Sequence, residues 1–160
     1  MLKSFLNALS KAESVLMSSL FAFNLSILFI TVVMRYAFNN SPTWTEEASR
    51  YVMIWIIYLG VSLSIENQSE IKIDILKKFF TAKTLHIYLS FFRLIIGTII
   101  TVFIIIYGIK FAAMLYETQQ YAAAFDMPMF FIYTIIPLSG LLMTIKYVNE
   151  MAKLIRSMKR

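Results

Sequence analysis

Residues 15–34 read VLMSSLFAFNLSILFITVVM, twenty positions without a single charge. As an α-helix such a run rises about 30 Å, the thickness of a bilayer's hydrocarbon core. In lipid, only helices and closed barrels satisfy every backbone polar group, and this run is far too long for a barrel strand. It therefore predicts a membrane-spanning helix. Three more apolar runs follow. The second covers 51–65 and is short alone, but its helix is expected to begin near Trp44. The third, 85–109, holds one charge, Arg93, and the fourth, 127–145, holds Pro128 and Pro137. The reading is an all-α membrane protein, one domain over residues 1–160, with four transmembrane helices at about 15–34, 44–65, 85–109 and 127–145.

Composition agrees. Apolar residues make up 59% of the chain and charged ones 15%, against about 25% charged in soluble proteins, too few to cover a soluble core. The chain has no cysteine and one histidine, His86. That excludes a thiol–disulfide relay, bis-histidine haem ligation and a His/Cys zinc cluster, and no cofactor is expected. The net charge of +6 reads as attraction to anionic lipid, with no nucleic-acid partner.

The basic residues set the expected orientation. Lys3 and Lys11, then Lys72, Lys77, Lys78 and Lys83, then Lys146, Lys153, Arg156, Lys159 and Arg160 fall on one side of the four-span arrangement. Only Arg35, Arg50 and Lys110 fall on the other, so eleven face three. By the positive-inside rule both termini and the middle connection are cytoplasmic, in a bacterial inner membrane. The first run lacks a small-residue cleavage site and reads as an uncleaved span, not a signal peptide. Three stretches look amphipathic: Leu2, Phe5, Leu6 and Leu9; Ile71, Ile75, Leu76 and Phe79; Val148, Met151, Ile155 and Met158. Short interfacial helices lying in the headgroup region are expected there.

The richest stretch joins the first two spans: Arg35-Tyr36-Ala37-Phe38-Asn39-Asn40-Ser41-Pro42-Thr43-Trp44-Thr45-Glu46-Glu47-Ala48-Ser49-Arg50-Tyr51. Thr43 and Glu46 have capping-box spacing after Pro42, and Glu46 and Glu47 suit the positive end of a helix dipole. Glu46 stands four residues before Arg50, a favourable helical pair. Trp44, Tyr36 and Tyr51 suit a membrane–water boundary. Structurally this is a well-capped helix entering the bilayer. Functionally, Arg35, Glu46, Glu47 and Arg50 form a charged cluster suited to docking another subunit.

This segment resembles the signature of the small membrane subunit (DctQ-type) of tripartite ATP-independent periplasmic (TRAP) transporters. An arginine ending the first span is matched by Arg35, and a Trp-x-Glu-Glu stretch with a following Arg-Tyr by Trp44, Glu46, Glu47, Arg50 and Tyr51. Farther on, Trp55, Tyr58 and Leu59-Gly60, then Ile71-Lys72-Ile73-Asp74, match in order. Met127-Pro128-Met129-Phe130-Phe131 and Ile136-Pro137-Leu138-Ser139-Gly140 resemble the family's fourth span, with one extra residue before the glycine. Two positions depart: Glu70 stands where the family often has histidine, and Asp126-Met127 where it often has glycine.

The resemblance implies a non-catalytic subunit that braces a large membrane transport subunit. That larger partner would hold the sodium and substrate sites, and a periplasmic substrate-binding protein would deliver an organic acid such as sialic acid or a C4-dicarboxylate. Arg35, Trp44, Glu46, Glu47, Arg50, Tyr51, Asp74, Arg93 and Pro137 are the candidate partner or membrane-interface residues.

Arg93, about 12 Å into its span, either snorkels to the cytoplasmic headgroups or meets lipid phosphate or a partner subunit. Asp126 before Pro128 reads as an N-cap, Pro137 as a kink, and His86 as interfacial. No deep carboxylate is visible in the four runs. A stand-alone exporter needs one, and an enzyme needs a constellation of reactive groups that this sequence lacks. The alternative of a small exporter or channel is therefore the weaker reading.

Overall fold

The computed structural model describes the backbone of residues 2–40, 42–79, 83–124 and 126–158, and the side chains of 6–40, 42–65, 88–124 and 126–156. It contains α1 (Leu2–Ala37), α2 (Thr43–Phe79), α3 (Lys83–Glu117), α4 (Met129–Tyr133) and α5 (Ile135–Met158). Four stretches, Leu6–Ala37, Thr43–Ile65, Tyr88–Glu117 and Met129–Arg156, are long and apolar enough to cross a membrane. The amphipathic stretches at both ends of the chain are not separate helices: α1 already begins at Leu2, and α5 continues to Met158. Likewise α2 runs on to Phe79, though the side chains of the middle amphipathic stretch, with Asp74 and His86, lie outside the described residues.

The long helices stand in a row. α1 packs on α2, α2 on α5, and α5 on α3, with α4 seated between α3 and the start of α5. Past Leu9, the covered positions of α1 are Ser10, Glu13, Met17, Leu20, Asn24, Ile27, Thr31 and Met34. Steps of three and four repeat along that list, which is the 3.5-residue period of a left-handed helix pair. The rest of α1, including Phe21, Phe23, Phe29 and Val32, is exposed. A face of that kind is stable only in lipid or against another apolar surface.

The α3–α5 contact depends on small residues. A Cβ at Gly108 would stand 3.0 Å from the backbone nitrogen of Pro137, and one at Gly140 would stand 2.8 Å from the Ile105 side chain. Without a water-driven gain between helices in lipid, such close approach supplies the dispersion contact that holds them. Thr144 Oγ1 adds a hydrogen bond to Thr101 Oγ1 across the same interface, at 3.0 Å. Phe111 and Tyr133, and Tyr116 and Phe130, meet edge to face where α3 passes α4.

Local chemistry sets the breaks. α1 and α3 end at residues in the left-handed region, Asn39 (φ 53°) and Gln119 (φ 49°). At the second, the Gln120 amide donates to Leu115 O and the Gln119 amide to Tyr116 O, satisfying the last carbonyls of α3. The helix interruption at Thr134 lies three residues before Pro137, whose ring crowds the preceding turn and which has no N–H to give. The kink expected from Pro137 is thus a break between α4 and α5. Asp126 does not cap α4: Pro128 occupies the N-cap position, and no side chain caps it.

Candidate functional site

Polar side chains gather at the two ends of the helix row. One end carries the 38–42 and 118–128 connections. There Glu47, in the second turn of α2, accepts hydrogen bonds from the backbone amides of Ala123 (3.0 Å) and Ala124, 76 and 77 residues away. Tyr51, one turn on, donates its hydroxyl to the same carboxylate. The loop it grips is itself ordered by Ala122 N to Met127 O (3.0 Å) and Met129 N to Gln120 O (2.9 Å). One turn deeper, Trp55 Nε1 donates to Ile132 O at 3.0 Å, on the carbonyl side of the α4–α5 break. Glu47, Tyr51 and Trp55 therefore fasten α2 to the α3–α4 loop and to α4.

Glu47 turns into the chain, while Arg35, Glu46 and Arg50 are exposed, and no ion pair joins Glu46 to Arg50 among the described residues. The Thr43–Glu46 capping box is not what holds the first turn. Thr45 does so instead, donating its hydroxyl (2.7 Å) and its amide (3.3 Å) to Pro42 O. Trp44 is about half exposed at the helix end. Pro137 packs against Gly108. Arg93 is half-buried on α3, with no ion pair among the described residues. The sequence places Asp74 in the same candidate set, and its side chain is outside the described residues.

At the other end, beside the start of α1 and the later part of α5, the structure adds a pairing that the sequence does not disclose. Glu13, just before the charge-free run, is 5% exposed and its partner Lys146 is 4% exposed. The Lys146 ammonium pairs with Glu13 Oε2. Ser62 Oγ donates to Glu13 Oε1 at 3.2 Å, and Lys146 Nζ donates to Ser62 O at 3.2 Å. One residue from each of α1, α2 and α5 thus closes a buried polar triad. Glu13 escaped notice because it precedes the charge-free run by two residues, and Lys146 because it counted as a tail charge. Both lie at seam spacing from their apolar neighbours, the signal that could have found them.

Two open grooves line the row. One, about 530 Å³, is bordered by Tyr58, Tyr107, Gly108, Lys110 and Ile136; Lys110 lies over the Tyr107 ring, 5.6 Å from its centre. The other, about 360 Å³, lies among Leu20, Tyr51, Trp55, Met127 and Phe131, and its walls are almost wholly apolar. Among the described residues there is no cluster of histidine, aspartate and glutamate able to hold a metal ion. These features suit helix and lipid packing, and they assemble no nucleophile with a base.

Comparison with known proteins fits this architecture. The profile of the family described as tripartite ATP-independent periplasmic transporters, DctQ component, matches residues 25–157. A TRAP transporter small permease protein of Haemophilus influenzae is 34% identical over 76 residues, 48% of this chain and 47% of that protein. The isethionate TRAP transporter permease protein DctMQ of Oleidesulfovibrio alaskensis is 26% identical over 116 residues, 72% of this chain and 18% of that protein. The sialic acid TRAP transporter permease protein SiaT of Haemophilus influenzae is 26% identical over 96 residues, 60% of this chain and 16% of that protein. The match thus spans about half of the first relative and less than a fifth of the other two. This multi-pass bacterial membrane protein belongs to the DctQ family, the non-enzymatic small permease subunit of TRAP transporters.

Proposed function

We propose that this chain braces the large transport subunit of a sodium-coupled, binding-protein-dependent TRAP transporter for organic acids. The observation that carries the reading is the row of helices. It leaves long apolar faces on α1 and α3 uncovered, while the buried charges among the described residues, Glu13 and Lys146, neutralise each other. A brace needs what is found here, rigid helices with an open apolar side.

TRAP small subunits partner with large permease components, and two relatives carry the matching segment within a much longer chain. Relatives named for isethionate, C4-dicarboxylate and sialic acid support an organic anion as cargo. In this reading the exposed Arg35, Trp44, Glu46 and Arg50 face the large subunit or the periplasmic substrate-binding protein. Glu47, Tyr51 and Pro137 hold that end in shape, Asp74 falls on the cytoplasmic side of the membrane, and Arg93 meets phospholipid phosphate or the partner.

Co-expression of a tagged chain with a large TRAP permease component from the same organism tests the central claim. Recovery of a one-to-one complex in mild detergent is expected, and uptake of the acid should require both chains. A tagged chain that never retains the large component rejects the brace. For Arg93, replacement by leucine should reduce recovery of the complex or its content of copurified phospholipid. If both stay unchanged, the contact is wrong.

A further inference from the structure

The repeat along the α1 seam does not by itself fix the helix's position along the axis. Its members repeat at steps of three and four, so sliding by a turn or a heptad returns the same face to α2. In lipid no water-driven gain separates one register from the next, which leaves packing and polar contacts to choose. Gly60, facing Met17 with 3.5 Å between its Cβ position and the sulfur, leaves slack on the α2 side. Asn24 Oδ1 has no hydrogen-bond partner among the described residues, and Thr31 Oγ1 turns back to Ile27 O of its own helix. Glu13, by contrast, reaches both α2 and α5.

We propose that the Glu13–Lys146 pair, closed by Ser62, is a register key that fixes where α1 sits along α2 and α5. A slip of one heptad, about 10 Å, brings Leu6 or Leu20 to the place of Glu13; a slip of one turn brings Ser10 or Met17. Each slip parts the two charges and leaves the buried Lys146 ammonium without its carboxylate. The native register is the one in which both charges are paired and Ser62 supplies a donor to one and an acceptor to the other. Selection of register is the best-attested use of a buried polar group that adds little net stability. This role concerns the chain itself and holds whatever cargo the transporter carries.

The chain has no cysteine, so crosslinking reads the register directly. Ser10 and Asn149 line one small cleft beside Lys146. A Ser10→Cys/Asn149→Cys chain in native membranes should crosslink with a short bis-maleimide, and a Met17→Cys/Asn149→Cys chain should not. Adding Glu13→Gln or Lys146→Met should lower the first yield by about tenfold. The decisive background is Glu13→Leu with Lys146→Met, which buries no charge and is expected to fold. There, crosslinking should spread from the Ser10 pair to the Met17 pair. Native crosslinking in both single variants overturns the proposal. So does an apolar double variant that keeps its crosslink at Ser10 alone, since the pair then stabilises without choosing a register.

Discussion

Glu47 shows how one side chain can hold a loop that its own sequence neighbourhood says nothing about. Its carboxylate accepts two backbone amides of the 118–128 connection as well as the Tyr51 hydroxyl, and hydrogen bonds to an ionised acceptor are the strong ones. Glu47→Gln keeps the length but loses the charge, so amides 120–124 should exchange with deuterium several-fold faster; unchanged exchange would show the loop is held elsewhere. Trp55 offers a cleaner single bond. Trp55→Phe retains an aromatic ring while removing the donor to Ile132 O, for an expected loss of about 0.5–1.5 kcal/mol in detergent unfolding. What the sequence discloses at this scale is residue type and spacing. That Glu47 sits near a helix start is legible; that its partners are Ala123 and Ala124 is not, because backbone amides carry no sequence mark. Glu13 was missed for the complementary reason, since a lone carboxylate beside an apolar run reads as solvated until its cation is known.

At the scale of the element, long charge-free runs make the helices legible, since lipid leaves the backbone no other local solution. The extra length of α1, α2 and α5 is less legible, because amphipathic ends read equally well as separate interfacial helices. Helix partners are decided by where small residues let backbones approach, and the four glycines differ in this. A methyl at Gly108 would meet the Pro137 nitrogen at 3.0 Å and the Ile136 side chain at 2.9 Å, whereas one at Gly60 would meet Met17 Sδ at an ordinary 3.5 Å. Backbone cannot rotate aside as a side chain can. Gly108→Ala should therefore destabilise by about 1–3 kcal/mol, while Gly60→Ala should be neutral or slightly stabilising. Thermal unfolding of the two variants in one detergent gives the comparison, and equal midpoints would mean α3 and α5 do not meet as closely as the glycines require.

For the whole molecule, orientation in the membrane follows from parity and charge together. Four crossings put both termini on one side, and the row places Leu6 and Glu150 beside the same cleft at one end. Lys146 counts less toward orientation than the sequence alone implies, because its charge is neutralised by Glu13. Yet Lys11, Lys153 and Arg156 are exposed at the same end, and Lys3, Lys72, Lys77, Lys78, Lys83, Lys159 and Arg160 are spaced to join them. The opposite end has only Arg35, Arg50 and Lys110, so the bias survives the loss of one cation. Two single-cysteine chains test this in intact cells without background, since the native chain has none. Gln119→Cys, in the exposed α3–α4 loop, should react with a membrane-impermeant maleimide before permeabilisation. Lys153→Cys, exposed on α5, should react only afterwards. The reverse order would place the Glu47-held loop in the cytoplasm. Arg35, Trp44, Glu46 and Arg50 would then lie on the wrong side for any contact with a periplasmic substrate-binding protein.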